Sequence, residues 1–540
     1  MTNPSDTRAI ELDGHRLSVA DVVTTARARG RQDLRLADDA VLAMEDSLRL
    51  RHKLLEEGTP VYGVTTGFGD SADRHISAEK AARLQHNLVR YHLNGVGPVA
   101  DGDVVRATML IRANSLARGA SAVRPEVVEL LLRCVEHDIV PQVPELGSLG
   151  ASGDLVPLSY VAAALLGEVE VRHRGELRPS AEALAAEGLT PLALEPKEGL
   201  ALINGTSFTA AFAALAHSDA AELAFVADLC TALTCEALRG NASHFHPFVH
   251  DAKPHRGQRT SAALVRALLD GSRLTSSYEE IVDRSQSLGG RGFVRQAEKV
   301  QDKYSVRCAP HVNGVLRDTL DWVGPWLTTE INSSTDNPLF SSEDELVHHG
   351  GNFYAGHVGQ AMDSLKVAVA NVADLLDRQL ALVVDEKFNR GLPANLAATP
   401  EDDREAGLEH GFKGMQIAAS AVTAEILKTS APASVFSRST EAHNQDKVSM
   451  GTIAARDART IVELTRKVCA IHLVALAQAV DLRGADLAGP AARRAHAAIR
   501  EVSPFVGADR RLDHDIAAVE QLITSGRLRA AVAVEAPVQP

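Results

Sequence analysis

The clearest pattern of apolar and polar residues in the chain lies between residues 363 and 388. Its apolar positions recur at steps of three and four, and charged residues occupy positions between them. The apolar residues are Leu365, Val369, Val372, Leu376, Leu380 and Val383, and the charged ones are Asp374, Asp377, Arg378 and Lys387. This spacing puts the apolar side chains on one face, so the segment predicts one long helix of a bundle.

Three further segments are rich in Ala and Leu and repeat apolar residues with the same period, which predicts more long helices. They lie at 207–236, 416–428 and 451–482. Residues typical of turns cluster between the long segments, at 283–292, 334–352 and 430–446. The simplest architecture is a bundle of long helices with functional loops at its ends.

The chain before residue 207 has a different pattern. Short helical patterns, such as 77–92, alternate with Gly- and Pro-marked turns, such as 63–70 and 147–154. We therefore predict a mainly all-α protein. Its predicted domains are a loop-rich N-terminal domain at 1–206, a central long-helix bundle at 207–482 and a short C-terminal helical region at 483–540.

Composition agrees with a helical core and narrows the possible partners. The 540 residues are 45% hydrophobic, 23% charged and only 4% aromatic, which is typical of a globular protein with closely packed helices. A net charge of −14 would repel a nucleic-acid backbone, so we expect no nucleic-acid partner. Acidic residues and a histidine interrupt the apolar segment 207–236, which predicts a buried helix and no membrane span.

Cysteines and histidines give little sign of a disulfide or a metal site. The five cysteines are scattered without a Cys-x-x-Cys spacing, which fits a reducing cytoplasm, and residues 1–14 have no apolar stretch like that of a signal peptide. Four histidines lie between residues 244 and 255, but two prolines interrupt them, and we expect no metal. The glycine-rich stretches at 95–102 and 287–293 lack a P-loop ending and predict turns.

The segment "GSLGASGD" (147–154) centres on Ala151-Ser152-Gly153. Ser152 does not lie in a Gly-x-Ser-x-Gly elbow, which argues against a hydrolase. A tight turn would instead let the Gly153 nitrogen attack the Ala151 carbonyl. Loss of water there and at the Ser152 hydroxyl would give a methylidene-imidazolone, an electrophile that no ordinary side chain provides. Gly153 permits the close approach and the unusual dihedral angles.

Eight stretches of the chain favour this chemistry. They resemble stretches that occur in the same order in the methylidene-imidazolone-dependent aromatic amino acid ammonia-lyases and aminomutases. The resemblance extends from about residue 60 to 485. The stretches are "VYGVTTGFG" (61–69), "GSLGASGDLVPLS" (147–159), "GLALINGTS" (199–207), "VHDAKPHRGQ" (249–258), "QDKYSVRCAP" (301–310), "EINSSTDNP" (330–338), "GGNF" (350–353) and "HNQDKVSMG" (443–451).

The resemblance implies a fold like that of histidine ammonia-lyase and a homotetramer whose active sites are shared between subunits. It also implies that the prosthetic group forms autocatalytically from Ala151-Ser152-Gly153, with no external cofactor. Such an enzyme needs an electrophile for the amine and a base for a weakly acidic β-proton. Tyr62 matches the family's base, and we expect its surroundings to favour the phenolate over the phenol.

Further residues match family positions around the prosthetic ring and the substrate. Asn204 and Tyr304 match residues that contact the ring and assist catalysis, and Arg307 matches the arginine that binds the substrate carboxylate. Three more matches are polar or apolar contacts of the site: Gln301, Asn337 and Phe353.

The substrate is predicted from two places in the sequence. Gln445 stands where histidine ammonia-lyases typically have Glu, which argues against histidine. Tyr91 and His92 occupy the family's ring-selectivity pair, and a bare phenyl ring would leave these polar groups unpaired. We therefore favour tyrosine over phenylalanine, with a histidine ammonia-lyase as an alternative, while His311 and the stretch 352–357 depart from the family pattern and leave an unusual aromatic amino acid open.

The same residues serve an ammonia-lyase, which gives an arylacrylate, and an aminomutase, which returns the amine to the β-carbon. No residue decides between them. A helical lyase of the fumarase type is disfavoured because its "GSSxMPxKxNP" loop is absent. A non-catalytic homologue is disfavoured because Tyr62, Ala151-Ser152-Gly153, Asn204, Tyr304 and Arg307 are all present.

Overall fold

The fold is described from a computed structural model for residues 9–28, 32–400 and 402–534. The predictions for the two ends of the chain include residues 1–8 and 535–540, which lie outside the described residues. Helices dominate, so the prediction of a mainly all-α fold is confirmed. The described α-helices, numbered in chain order, are α1 Val19–Arg27, α2 Asp38–Glu56, α3 Ala78–Tyr91, α4 Gly102–Ala117, α5 Pro125–Glu136, α6 Leu155–Leu165, α7 Ser180–Ala186, α8 Glu198–Ile203, α9 Ser207–Ala237, α10 Pro247–Asp251, α11 Arg256–Leu269, α12 Tyr278–Asp283, α13 Tyr304–Arg307, α14 Ala309–Ile331, α15 Gly356–Val384, α16 Lys413–Thr429, α17 Gly451–Arg483, α18 Pro490–Arg500, α19 Asp513–Thr524 and α20 Arg527–Val532.

The long helices follow the apolar pattern closely. The segments predicted at 207–236, 416–428 and 451–482 become α9, α16 and α17 with ends shifted by three residues or fewer. The helix predicted within 363–388 is α15, which begins earlier, at Gly356, and ends at Val384. The sequence pattern did not single out α14, because Pro325, a residue that normally ends or bends a helix, lies inside it.

Helix α9 is apolar on nearly all sides and is mostly buried. By length and composition alone it could cross a membrane, and 72% of its most apolar window is buried inside the structure. A core helix of a soluble protein has the same properties. The buried position of α9 therefore agrees with the prediction of a core helix.

The described chain forms two compact units, each built from three stretches of sequence. Unit 1 comprises Met1–Ser218, Val323–Asp363 and Pro432–Arg459. Unit 2 comprises Asp219–Trp322, Ser364–Ala431 and Thr460–Pro540. The division at 206 and 482 expected from the sequence follows the chain order, and it stays a prediction.

In unit 1, α4 packs against α1, α2 and α5, while α8 packs against α3 and α6. Small sheets connect these helices, and each pairs only two or three short strands. The parallel pair is β1 Ile10–Leu12 with β2 Leu34–Leu36, and the antiparallel groups are β3 Val96–Val99 with β5 Pro144–Leu146, β4 Ile139–Pro141 with β6 Glu170–His173 and β7 Glu176–Pro179, and β8 Leu339–Ser341 with β9 Leu346–His348.

One apolar cluster of unit 1 fixes the segment that contains Tyr62. Val61 and Val64 are buried on either side of this tyrosine and pack with Leu50 of α2 and Phe340 of β8. The burial of these side chains stabilises the turn, because apolar surface removed from water contributes about 25 cal/mol per Å². In unit 2, α18 packs against α11 and α20.

Candidate active site

The Ala151-Ser152-Gly153 tripeptide lies in a loop between β5 and α6. Gly147, Gly150 and Gly153 all have positive φ angles, of 141°, 62° and 71°. Gly153 pairs with Gly205 in a parallel bridge, and a Cβ atom at position 153 would collide with the Gly205 carbonyl oxygen. Only glycine fits this backbone without strain, as the sequence predicted for the last residue of the tripeptide.

Ser152 is held by two residues that are distant in sequence. The Asn204 side-chain amide donates to the Ser152 carbonyl oxygen at 2.8 Å. The Gln445 side-chain amide donates to the Ser152 hydroxyl at 3.2 Å. The structure thus brings Ser152, Asn204 and Gln445 together. The Oδ1 atom of Asn204 is buried and has no hydrogen-bond partner among the described residues, so it can accept one from a ligand.

Asp154, which the sequence analysis did not select, directly follows the tripeptide and holds its C-terminal end in place. It is fully buried, and its carboxylate accepts hydrogen bonds from Thr209, Thr452 and Ser148 at 2.7–3.0 Å. Its backbone N–H donates to the Gly205 carbonyl at 2.7 Å. Burial raises the pKa of Asp154, and the donors oppose that shift.

Further buried charges lie behind the segment 204–206. Lys197 and Asp336 form a fully buried ion pair with 2.5 Å between Nζ and Oδ2. The Arg112 guanidinium lies against Gly205 and donates to the Thr335 hydroxyl at 3.3 Å. Burial lowers the pKa of Arg112 to about 10, while Asp336 and Asp154 act in the opposite direction. These groups fix the strand-like segment against which the tripeptide rests.

Tyr62 is half-buried in the turn at 61–69. Its phenolic oxygen accepts a hydrogen bond from the Gly69 N–H at 2.9 Å. Burial raises the pKa of Tyr62, the Gly69 N–H lowers it, and the Glu441 carboxylate raises it further. The sequence analysis expected surroundings that favour the phenolate; the Gly69 N–H acts in that direction, but burial outweighs it, and the described residues of this chain on balance raise the pKa of Tyr62 and favour the phenol. The ring of His349, also not selected from the sequence, lies edge-on with centroids 6.3 Å apart.

Tyr91 and His92 lie at the C-terminal end of α3 with ring centroids 4.4 Å apart. The Nδ1 atom of His92 donates to the Leu88 carbonyl at 2.9 Å, which leaves Nε2 as an acceptor in the neutral ring. Burial lowers the pKa of His92, which favours that neutral form. Tyr91 is 55% exposed, yet partial burial and then the Glu441 and Tyr62 charges raise its pKa to about 12.

Glu441 is a third residue that sequence reasoning missed. Its carboxylate raises the pKa of Tyr62, Tyr91 and His92, so it faces the same region as these three side chains. The Glu441 carboxylate accepts hydrogen bonds from the Asp70 N–H and from the Asn444 side-chain amide, each at 3.0 Å. A possible signal was its position four residues before Gln445 in "EAHNQ".

The backbone that carries Glu441 is unusual. Glu441, Ala442 and His443 have φ angles of 50°, 50° and 65°, which non-glycine residues seldom adopt. Thr440 and Gln445 pair across this turn in an antiparallel bridge. The bridge sets the direction of the Gln445 side chain toward Ser152, while the turn directs Glu441 toward Tyr62.

Asn337 and Phe353, also expected at the site, lie in unit 1. The Oδ1 atom of Asn337 accepts a hydrogen bond from the Gly350 N–H at 2.8 Å, which joins two of the predicted motifs. Phe353 is half-buried just before α15. In the described part of the chain neither side chain hydrogen-bonds to the tripeptide, and their roles at the site stay predictions.

Gln301, Tyr304 and Arg307 belong to unit 2. Tyr304 begins the short helix α13 and is 72% exposed. The Arg307 guanidinium stacks on the Tyr304 ring, 4.5 Å from its centroid, and its Nε donates to the Asp302 carbonyl at 3.1 Å. The structure therefore brings Tyr304 and Arg307 together, on an exposed surface of their own unit.

The histidines considered for a metal site have partners of other kinds. His250 is buried and bonds to the His244 carbonyl and to Gln258, both at 3.1 Å. His244 contacts Asp302, with 3.5 Å between Nε2 and Oδ2. The ring of His311, which departs from the family pattern, lies 5.6 Å from that of His250, and burial lowers the pKa of His311. Within 9–28, 32–400 and 402–534, no group of three or more His, Cys, Asp or Glu residues could hold a metal ion.

Known proteins resemble the chain over nearly its whole length. The family model for aromatic amino acid lyases matches residues 17–501. The chain is 42% identical to the tyrosine ammonia-lyase of Cupriavidus metallidurans, with 96% of each protein covered. It is 40% identical to the histidine ammonia-lyase of Shouchella clausii, with 92% of this chain and 95% of that protein covered.

An aminomutase is similarly related. The MIO-dependent tyrosine 2,3-aminomutase of Streptomyces globisporus is 39% identical, with 98% of this chain and 97% of that protein covered. The crystal structure of a tyrosine aminomutase from the same organism superposes with a TM-score of 0.92 at 38% identity, and covers 98% of this chain and 100% of its own.

Proposed function

Since the chain belongs to the aromatic amino acid lyase family and is a carbon–nitrogen lyase, we propose that it eliminates ammonia from an aromatic L-α-amino acid to give an arylacrylate. Tyrosine is the substrate that we favour over phenylalanine. The observation that carries this proposal is the pair of hydrogen bonds to Ser152. Its carbonyl oxygen accepts one from Asn204, and its hydroxyl oxygen accepts the other from Gln445.

We propose that Ala151-Ser152-Gly153 is converted to a methylidene-imidazolone. Its closing bond joins the Gly153 nitrogen to the Ala151 carbonyl carbon, and two waters leave, one of them with the Ser152 hydroxyl oxygen. Two observations support this chemistry: the left-handed backbone of Gly153 and the close approach of Gly205. Once formed, the group supplies the electrophile for the substrate amine.

Tyr62 is the base that we propose for the β-proton. A phenolate is the proton-accepting form, and the Gly69 N–H at 2.9 Å stabilises that form. Because burial and Glu441 raise the pKa of Tyr62, the phenolate forms at a higher pH than that of an unperturbed tyrosine, and the rate is expected to rise with pH. Proton removal by a positioned side chain contributes about 10²–10⁴-fold in rate.

Other residues bind the substrate in this proposal. The unpaired Oδ1 of Asn204 is an acceptor for the amino group, and the Glu441 carboxylate is positioned to attract an ammonium ion. Arg307 suits the substrate carboxylate because its guanidinium can donate two parallel hydrogen bonds. We propose that Tyr304 and Arg307 complete the active site of another subunit in a homotetramer, which agrees with the exposure of Tyr304.

The choice of tyrosine rests on Tyr91 and His92. Both side chains offer hydrogen-bonding atoms, and His92 has a neutral ring with Nε2 available. A phenol would pair with these groups, whereas a phenyl ring would leave them unpaired at a cost of about 1–3 kcal/mol. The identity to a tyrosine ammonia-lyase supports this choice, although a histidine ammonia-lyase is nearly as similar.

A second candidate is the aminomutase reaction on the same substrate. It is favoured by the relationship to the Streptomyces globisporus tyrosine aminomutase, whose structure superposes with a TM-score of 0.92. The two reactions differ only in whether the arylacrylate is released before the amine returns to the β-carbon.

The test has two parts. Mass spectrometry of the peptide spanning 145–158 should show the loss of two waters, and an unmodified peptide in active protein would refute the prosthetic group. Incubation with tyrosine, phenylalanine or histidine, followed by chromatography, should give 4-hydroxycinnamate from tyrosine. Accumulation of β-tyrosine would select the aminomutase, and turnover of histidine alone would refute our substrate.

A further inference from the structure

Unit 2 contains a cavity of about 820 Å³ whose charge is opposite to that of the protein. Seven basic and three acidic side chains line it, which gives the lining a net charge of +4 in a chain whose net charge is −14. A cleft lined by one sign of charge concentrates ions of the other sign, because its low-dielectric walls focus the field. The volume lies within the usual range for small-molecule sites.

The basic side chains of this cavity are only partly neutralised by carboxylates. Arg284 pairs with Glu298 at 3.0 Å, and Arg390 pairs with Asp302 at 2.7 Å. The side chains of Arg239, Lys299 and Lys387 have no carboxylate partner in the described part of the chain, and all three are exposed. Three cationic groups are therefore free to bind an added anion.

A buried arginine, Arg483, lies next to the cavity and adds a further positive charge. Arg483 is 9% exposed and donates to backbone carbonyls, of Asn389, of Ala237 at 2.9 Å and of Arg390 at 3.1 Å. Burial, and after it the charges of Arg239 and Arg390, lower the pKa of Arg483 to about 10. Arg390 donates to the Arg239 carbonyl and Arg483 to the Arg390 carbonyl, so the three arginines are neighbours, and their like charges would attract an anion.

We propose that this cavity binds a small, multiply charged anion of the phosphate type. Guanidinium groups match the oxygens of such anions with paired hydrogen bonds, and the ammonium groups of Lys299 and Lys387 add point charges. The cavity has room for more than one phosphate group, which favours a pyrophosphate unit over orthophosphate. The cavity lies in unit 2, whereas Ser152 and the two residues that hydrogen-bond to it lie in unit 1.

The position of the cavity also predicts an effect on turnover, and this part rests on the proposed function. Gln301, Lys303 and Val306 line the cavity, and they alternate along the chain with Tyr304 and Arg307. An anion in the cavity contacts the segment that presents these two side chains. Its binding is therefore expected to change kcat.

Calorimetric titration of the full-length protein with sodium pyrophosphate, in metal-free buffer, tests the binding directly. We expect one saturable site per chain, tighter for pyrophosphate than for orthophosphate and absent for sodium chloride at matched ionic strength. The double variant Arg239→Gln/Lys387→Gln should weaken binding about tenfold or more. The matched control Lys413→Gln, an exposed lysine outside the cavity, should bind like the parent.

Three results would overturn the proposal: no saturable binding of either anion, unchanged affinity in the double variant, or competition between pyrophosphate and the amino acid. Competition would place the anion in the substrate site instead. If the double variant does not fold, Lys299→Gln in the exposed segment before Gln301 replaces it, with the same expected direction. Because the titration needs no turnover, its result does not depend on the proposed activity.

Discussion

Asn204 and Ser152 are joined by a hydrogen bond of 2.8 Å from the side-chain amide of one to the backbone carbonyl of the other. Asn204 ends α8 and leads into Gly205, which pairs with Gly153, so one short segment holds two members of the tripeptide. This contact restrains the peptide unit that closes into a ring in the proposed maturation.

Replacing Asn204 with Ala should prevent most of the ring formation. The substitution removes the donor to Ser152 while the buried carbonyl stays in place, so the turn loses its restraint. We expect the peptide spanning 145–158 to keep both waters and the rate of ammonia release to fall about 10²-fold or more. Mass spectrometry and product absorbance measure the two effects. The control Asn371→Ala, on the exposed side of α15, should remain fully modified.

Gly153→Ala should be more harmful than the same change at another glycine with a similar backbone. Its φ is 71°, and the added methyl group would collide with the Gly205 carbonyl, so we expect a stability loss of about 1–3 kcal/mol and no modification. Gly175 has a φ of 85° and open space around it, so Gly175→Ala should lose only about 1 kcal/mol and stay modified. Equal losses in chemical unfolding would contradict the predicted collision.

Glu441→Gln should move the rising limb of the pH–rate profile, which follows deprotonation of Tyr62, to lower pH. The carboxylate raises the pKa of Tyr62, so its removal lowers that pKa and more phenolate is present at a given pH. The amide can still accept from the Asp70 N–H, which limits structural change. Measurement of kcat/KM against pH for both proteins tests this shift. Glu425→Gln, on α16 in unit 2, serves as a control that should leave the limb in place.

His472 should make the protein less stable in mild acid. Complete burial lowers the pKa of His472 from 6.5 to about 3, with the ring bonded to the Thr234 hydroxyl at 3.0 Å. The unfolded chain binds a proton below pH 6.5 and the folded chain does not, so this stability is complete above pH 6.5 and is lost as the pH falls toward 3. Between pH 7 and 5 the loss is about 2 kcal/mol.

The variant His472→Gln tests this linkage because it cannot take up the proton. Its stability should fall less between pH 7 and 5 than that of the parent, as measured by chemical unfolding at each pH. His255→Gln changes an exposed histidine and should follow the parent. An identical pH dependence in all three proteins would exclude His472 as the cause.

Sequence patterns predicted the parts of the molecule that local chemistry determines. The stripe within 363–388 gave α15, because its apolar spacing repeats regularly over several turns. Gly153 was predicted to need an unusual backbone, and its φ of 71° agrees. The contact of Asn204 with the tripeptide was expected only from the family resemblance, and that of Gln445 with Ser152 was not predicted, since no periodicity connects residues so far apart.

The parts that were missed depend on tertiary contacts. Glu441 reaches Tyr62 through three successive left-handed residues, none of them glycine, and no local signal announces such a turn. Asp154 is buried by Thr209 and Thr452, which belong to two distant helices. Helix α14 continues through Pro325, because packing in the folded protein outweighs local propensity.

The two hydrogen bonds that Asn204 and Gln445 donate to Ser152 also set an order of events in the proposed maturation. Asn204 lies 52 residues and Gln445 lies 293 residues from Ser152 along the chain, so both reach it only after unit 1 has folded. A nascent, misfolded or truncated chain lacks one or both contacts. In the proposed maturation such a chain cannot form the reactive group, so a modified tripeptide would show chemically that unit 1 has folded.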